Sequence, residues 1–272
     1  MPNTVIPAKL VLDSDRGAGI HSLILEVLLE YLNLGTKKHT ATCNWRSPMI
    51  TAQRKPFDEI YDFARRHKKI LILGCGTCVT VCMAGGEKEV GILAAQIILA
   101  AREKGDQIEI VEHTIERQCD REFFDETASR KINDADAVIS LACGVGVQFG
   151  VECFNEKIIY PGVNTTFYGA TVEQGRWAER CAGCGDCVLE QFGGVCPIAR
   201  CSKSLLNGPC GGSADGKCEV DPQNIDCAWQ LIYDRMKILG RLPELEKNMP
   251  VKNWRTGRDG GPRKIVREDL TL

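Results

Sequence analysis

Cysteine is the residue type in this sequence that could do chemistry, because the 272-residue chain contains 15 of them. A disulfide framework is typical of short secreted chains with a signal peptide and an even cysteine count, and we expect none of these here. Isolated thiols such as Cys43 and Cys153 suit ordinary burial, since free cysteine packs as a small hydrophobe. Eight cysteines lie between residues 181 and 227, and several of them neighbour Gly, Asp, Lys or Arg, which favours metal or iron–sulfur ligation in a reducing compartment.

The tightest motif is Cys181-Ala-Gly-Cys184-Gly-Asp-Cys187, a C-x2-C-x2-C run. This spacing opens the bacterial ferredoxin motif, whereas zinc sites more often use isolated C-x2-C pairs. In ferredoxins the run continues with three residues and then Cys-Pro, but here Cys196-Pro197 follows after eight residues. The run therefore predicts a cluster site without predicting the ferredoxin fold.

The eight cysteines of this region suit two sites with four ligands each. By analogy with two-cluster ferredoxins, we group the C-x2-C-x2-C run with a distant fourth ligand, for which Cys227 is the candidate. The second site is iron–sulfur or zinc, with buried free thiols as the alternative. Its predicted ligands are Cys196, Cys201, Cys210 and Cys218.

A second group of cysteines follows predicted strands nearer the N-terminus. Ligands bind beyond the carboxyl ends of strands in an open parallel sheet, and three successive strand ends carry cysteine here. We therefore predict a cluster held by four of five residues: Cys75, Cys78, Cys82, Cys119 and Cys143. A redox-active Cys75-x2-Cys78 dithiol is the competing interpretation. Phosphate binding at Gly85-Gly86 is a weaker one, because Glu87 and Glu89 would repel the anion.

The elements that would position these cysteines alternate between helix and strand. Helices are predicted over 56–68, 87–103, 122–132 and 146–154, and strands over 69–73, 108–111, 137–142 and 157–160. This alternation predicts an α/β, Rossmann-like fold: a parallel sheet with helices on both faces. A small Cys-rich, metal-stapled domain and an extended tail should follow. The predicted divisions are an N-terminal extension at 1–48, the α/β domain at 49–165, the Cys-rich domain at 166–240 and the tail at 241–272.

Two further helices are predicted outside the alternating region. One covers 20–34 in the N-terminal extension, and the other, over 227–239, closes the Cys-rich domain. Too few apolar residues lie between the cysteines of that domain to build a core, so we predict that it folds only with metal.

The composition excludes several classes of partner. The net charge is −2 and the pI about 6.1, so no basic field for nucleic acid is present. The longest apolar stretch, 90–101, is too short for a membrane span and is interrupted by Gln96. We therefore expect a cytoplasmic protein with no membrane insertion.

Several long motifs resemble the MetV family, the small partners of the flavin subunit MetF in bacterial methylenetetrahydrofolate reductases, including those of acetogens. They are GCGTCVTVCMAGGEKEVGILAAQ, ERQC, ACGVGVQF, the tract from CAGCGDC to IYDRMK, and GPRKIVREDL. The tract also resembles the methylenetetrahydrofolate reductase C-terminal domain. The resemblance covers about residues 49 to 270, and residues 1–48 depart from the pattern.

The resemblance implies an electron-transfer subunit, itself a non-catalytic part of an oxidoreductase complex. It implies two or three [4Fe-4S] clusters, with zinc as the alternative at one site, and a MetF-type partner that carries the flavin and the folate site. Ferredoxin or further redox subunits would be additional partners. The alternative is a metal-stapled structural or regulatory adaptor that stabilises the reductase without carrying electrons. A third hypothesis is a zinc-thiolate methyl-transfer enzyme.

Overall fold

The computed structural model describes residues 50–267 and residue 269, and its main element is a parallel four-stranded sheet. Its strands are β2 Lys69–Cys75, β3 Glu109–Ile115, β4 Ala137–Ser140 and β5 Ile158–Pro161. They lie in the order β3-β2-β4-β5, and each neighbouring pair is parallel. The four strands predicted from the sequence are all present. The predicted helix over 20–34 and Cys43 lie outside the described residues.

Strand β2 is the centre of the hydrophobic core because its side chains alternate between the two faces of the sheet. Ile70 and Ile72 pack into one buried cluster, while Leu71 and Leu73 pack into another. The sheet therefore buries apolar side chains on both faces, as a parallel sheet requires.

Helices cover both faces of this sheet, which confirms the predicted α/β fold class. Their bounds are α1 Phe57–Ala64, α2 Cys78–Val81, α3 Glu87–Lys104, α4 Glu126–Asp134 and α5 Gly144–Cys153. Helices α1 and α3 pack on the face of Ile70, and α4 packs on the face of Leu71. Helix α3 has acidic residues in its first turn and basic residues in its last, which complements the helix dipole. It ends at Gly105, whose φ of 76° only glycine adopts readily.

The structure also contains an antiparallel three-stranded sheet, which the sequence analysis did not predict. It consists of β1 Thr51–Arg54, β6 Val163–Glu173 and β7 Arg176–Cys181, in the order β1-β6-β7. Strands β6 and β7 form a hairpin whose turn contains Gly175 at φ 80°. The boundary predicted between residues 165 and 166 lies within β6, and the division into domains remains a prediction.

The Cys-rich region has short helices around a small core. Its helices are a 3₁₀ turn at Leu189–Phe192, α6 Pro197–Arg200 and α7 Ala228–Ile238, the last being the predicted closing helix. The core side chains are Val188, Phe192, Ile198, Trp229, Ile232 and Met236. The tail beyond residue 240 alternates irregular chain with 3₁₀ turns at Leu242–Glu246, Trp254–Thr256 and Arg258–Gly260. Within the described ranges, no helix has the length and apolar character needed to cross a bilayer.

Candidate metal centres

Three of the predicted ligands lie at the carboxyl edge of the parallel sheet. Cys75 is the last residue of β2, Cys119 follows β3, and Cys143 follows β4 as the N-cap of α5. Because β2 lies between β3 and β4, these ends are neighbours. Cys119 is exposed, but partial desolvation of its thiol, together with the neighbouring Cys143 and Cys75 thiols, raises the pKa of Cys119. The structure therefore brings these three predicted ligands into one electrostatic neighbourhood.

A buried polar network fixes the chain around these cysteines. Gln118, only 2% exposed, donates from Nε2 to the carbonyl oxygens of Leu73 and Gly74 at 2.9 and 3.0 Å. Its Oε1 accepts a 2.7 Å hydrogen bond from the Ser140 hydroxyl. Gln118 thus joins the end of β2 to the end of β4, immediately beside Cys119. The sequence analysis missed this residue, because nothing in the local pattern distinguishes it from a surface glutamine.

The other two predicted ligands of this region are placed differently. Cys82 is 6% exposed, and its sulfur accepts a 3.4 Å hydrogen bond from the backbone N–H of Ala52 in β1. Burial raises the pKa of Cys82, and the charge of Cys78 adds to that effect.

The C-x2-C-x2-C run forms an irregular loop after the hairpin. Cys181 ends β7, and the glycines that follow, Gly183 and Gly185, have φ values of 61° and 81°. These left-handed conformations turn the chain tightly between the cysteines. The backbone N–H of Gly183 donates to the sulfur of Cys181 at 3.4 Å. Such N–H donors stabilise a thiolate, which is the ligand form of cysteine.

The remaining cysteines lie around the small core of the Cys-rich region. Four of them pack against that core: Cys184, Cys196, Cys201 and Cys227. Cys210 and Cys218 lie on loops, and each sulfur contacts a polar side chain of the same region. The Cys218 sulfur lies 3.4 Å from the hydroxyl of Ser202, which follows Cys201, and Cys210 lies 3.6 Å from the carboxylate of Glu219.

The backbone also brings Cys218 and Cys227 onto adjacent segments. The N–H of Cys218 donates to the carbonyl of Ile225 at 2.9 Å, and the N–H of Cys227 donates to the carbonyl of Gly216 at 2.8 Å. A hydrogen bond from the Ser202 hydroxyl, together with backbone N–H groups, lowers the pKa of Cys218. This thiol is therefore chemically suited to ligation as a thiolate. The division of the eight cysteines into two sets of four stays a prediction.

The residues at both locations fit an iron–sulfur or zinc site by the chemistry of their donors. Every cysteine in the described part of the chain is a free thiol. Thiolates are ligands that both iron and zinc prefer. Among residues 50–267, no three Cys, His, Asp or Glu side chains already converge as a ready-made site. Binding would thus require the thiols to move toward the metal.

The Cys-rich region lies within a segment that matches the model of a known protein family. Residues 160–255 match the family model described as methylene-tetrahydrofolate reductase C terminal. The match begins at the end of β5 and includes the hairpin, all eight cysteines between 181 and 227, and the tail as far as residue 255. It relates this third of the chain to methylenetetrahydrofolate reductases. Searches of curated proteins and of solved structures found no match.

Proposed function

We propose that this chain is the electron-transfer subunit of a methylenetetrahydrofolate reductase complex. Its partner would be a MetF-type subunit that carries flavin and reduces methylene-tetrahydrofolate to methyl-tetrahydrofolate. The observation that carries the proposal is the coincidence of the matched segment, 160–255, with the eight-cysteine region. The similarity to this reductase family and the dense set of cysteine thiols therefore fall in the same residues.

The reaction explains why such a subunit is useful. Reducing the methylene group takes two electrons and two protons, and a flavin delivers electrons to the folate as a hydride. When bound, [4Fe-4S] clusters would supply the one-electron steps that connect a low-potential donor such as ferredoxin to that flavin. The chain's own contribution is to hold thiolates in fixed places.

Paired strands connect the two regions in which these thiolates would bind clusters. Cys143, at the end of β4, is followed by Gly144, whose N–H donates to the hydroxyl of Thr165 in β6 at 2.8 Å. The hairpin β6–β7 then leads to Cys181, the first residue of the C-x2-C-x2-C run. The strand-edge cysteines and the Cys-rich region are thereby connected by paired strands rather than by a free linker. Two or three clusters, or clusters with one zinc ion, would be held on this frame.

The decisive experiment measures metals and electron transfer in the full-length protein. The chain is purified without oxygen, and its iron, acid-labile sulfide and zinc are determined. EPR spectra are recorded after reduction with dithionite. We expect iron and sulfide for at least two clusters, and reduction of the flavin of a MetF-type partner when the reduced chain is added.

Two results would contradict the proposal. Zinc without iron would favour the adaptor hypothesis, in which metal holds the fold together and electrons reach the flavin elsewhere. Iron without any effect on flavin reduction, in a complex shown to form by gel filtration, would also exclude the electron-transfer role.

A further inference from the structure

The tail lies directly on the C-x2-C-x2-C loop. The hydroxyl of Thr256 lies 2.9 Å from the Cys184 carbonyl oxygen, to which it donates, and the Arg263 guanidinium donates to the Gly183 carbonyl at 3.0 Å. The ammonium of Lys252 donates to the Asp186 carbonyl at 2.5 Å. Three backbone oxygens of the loop are thus held by one short piece of chain, residues 252–263, which we term the tail clasp.

Lys252 is the unusual member of the tail clasp because its side chain is only 1% exposed. Burying an ammonium group is costly unless it is paired and hydrogen-bonded. Here it is paired with the Asp186 carboxylate at 3.2 Å as well as with the Asp186 carbonyl, and it lies 5.8 Å from the centre of the Trp254 ring. Asp186 stands between Cys184 and Cys187, so a buried positive charge is fixed beside two predicted ligands.

Two glycines show how closely the loop and the tail clasp approach. A Cβ atom on Gly185 would lie 2.0 Å from the carbonyl oxygen of Thr256, and Gly185 also has a left-handed φ. On the other side, a Cβ on Gly257 would lie 3.3 Å from the carbonyl oxygen of Cys184. Both contacts involve backbone atoms, which cannot move aside cheaply, so the fit depends on glycine at Gly185 above all.

We propose that Lys252 is a positioning residue for the metal site of the C-x2-C-x2-C loop, acting through Asp186 and supported by Thr256 and Arg263. The tail clasp sets the backbone from which Cys181, Cys184 and Cys187 present their thiols. The Lys252 ammonium also stabilises negative charge on the loop, and an iron–sulfur cluster becomes more negative on reduction. The part of this inference that concerns a cluster rests on the proposed function.

The test compares Lys252→Met with a matched control, Lys264→Met, in the full-length protein. Both variants remove one positive charge from the tail, but Lys264 is exposed. We expect Lys252→Met to lose the iron of one cluster, and the fraction still loaded to have a lower reduction potential in an EPR-monitored titration. Lys264→Met should keep the iron content and the potential of the unmodified protein. Lys252→Arg, which keeps the charge, should recover most of the potential.

A second measurement does not depend on which metal is bound. In the protein as purified, Lys252→Met and Thr256→Val should raise the rate at which iodoacetamide labels Cys184 and Cys187 several-fold, while Cys119 is labelled as before. Labelling rates equal to those of Lys264→Met, or an unchanged potential in Lys252→Met, would overturn the inference. If the unmodified protein carries no metal, the proposed function fails, but the labelling experiment still decides whether the tail clasp shapes the loop.

Discussion

Cys119 and Cys82 are both candidate ligands by sequence, but their surroundings differ. Cys119 lies at the edge where three strands end, near Cys75 and Cys143. Cys82 is enclosed between α2 and β1, with its sulfur bonded to the backbone of Ala52. A thiol already bonded in a packed core has less freedom to turn toward a metal than a thiol in a loop at a strand end.

This difference gives a prediction at the scale of single residues. Changing Cys119 and Cys143 together to Ala should remove the iron of one cluster and slow reduction of the partner's flavin. Changing Cys82 to Ala should leave the iron content unchanged and lower the free energy of unfolding by about 1 kcal/mol, because a buried sulfur is lost from the core. Metal analysis and urea unfolding measure the two effects.

Cys153→Ala is the matched control, since this thiol lies at the end of α5 and is not among the predicted ligands. An unchanged iron count in the double variant would show that the strand-end cysteines are ordinary thiols. Loss of iron on changing Cys82 would instead place that residue among the ligands.

At the scale of elements, Gln118 links the carboxyl ends of β2 and β4 by side-chain hydrogen bonds. Replacing Gln118 by Leu leaves the Gly74 carbonyl without its side-chain partner and removes the acceptor of the Ser140 hydroxyl. Unsatisfied buried polar groups cost about 1–3 kcal/mol each, so we expect Gln118→Leu to lower the free energy of unfolding by about 2–4 kcal/mol. The exposed Gln107→Leu should change it by less than about 0.5 kcal/mol.

Urea denaturation of both variants, measured by circular dichroism, checks this prediction. Equal unfolding midpoints would mean that water replaces Gln118 without loss. The variant should also hold less iron than Gln107→Leu if Cys119 and Cys143 bind a cluster, because Gln118 sets their separation.

The parallel sheet could be predicted from the sequence because its elements carry strong local signals. The run KILIL, buried on both faces, and the amphipathic helix before it are each readable within a dozen residues. Since the strands also alternate with helices, their order and direction follow from general rules of connection. The same reasoning placed Cys75, Cys119 and Cys143 at one edge.

The antiparallel sheet was missed because its signals are distributed differently. Strand β1 has four residues, too few for a period to be recognised. The hairpin β6–β7 is largely polar and exposed, so apolar alternation is weak, although Gly175 between β-prone residues such as Phe167 and Trp177 was a usable turn signal. The tail clasp could not have been predicted, because Lys252 and Asp186 are 66 residues apart and only folding brings them together.

For the molecule as a whole, the α/β part and the Cys-rich part are stabilised unequally. The parallel sheet buries two large apolar clusters, whereas the Cys-rich region has six buried core side chains, with cysteines at the edge of that core. Exposed ion pairs also join its loops, Lys203 with Glu219 and Lys217 with Asp226. Such exposed pairs contribute only about 0–1 kcal/mol each, so metal ligation would be the main force that holds these loops.

We therefore expect a strong chelator under reducing conditions to open the Cys-rich region while the sheet persists. Trypsin should then cut rapidly after Lys203 and Lys217, and a fragment that ends near the hairpin should survive, because β6 pairs with β1 as well as with β7. Mass spectrometry of the digests identifies the cuts, and the metal-loaded protein serves as the control. A digest that is the same with and without chelator would show that the six-residue core and the tail clasp hold the region by themselves, and that metal serves electron transfer without being needed for the fold.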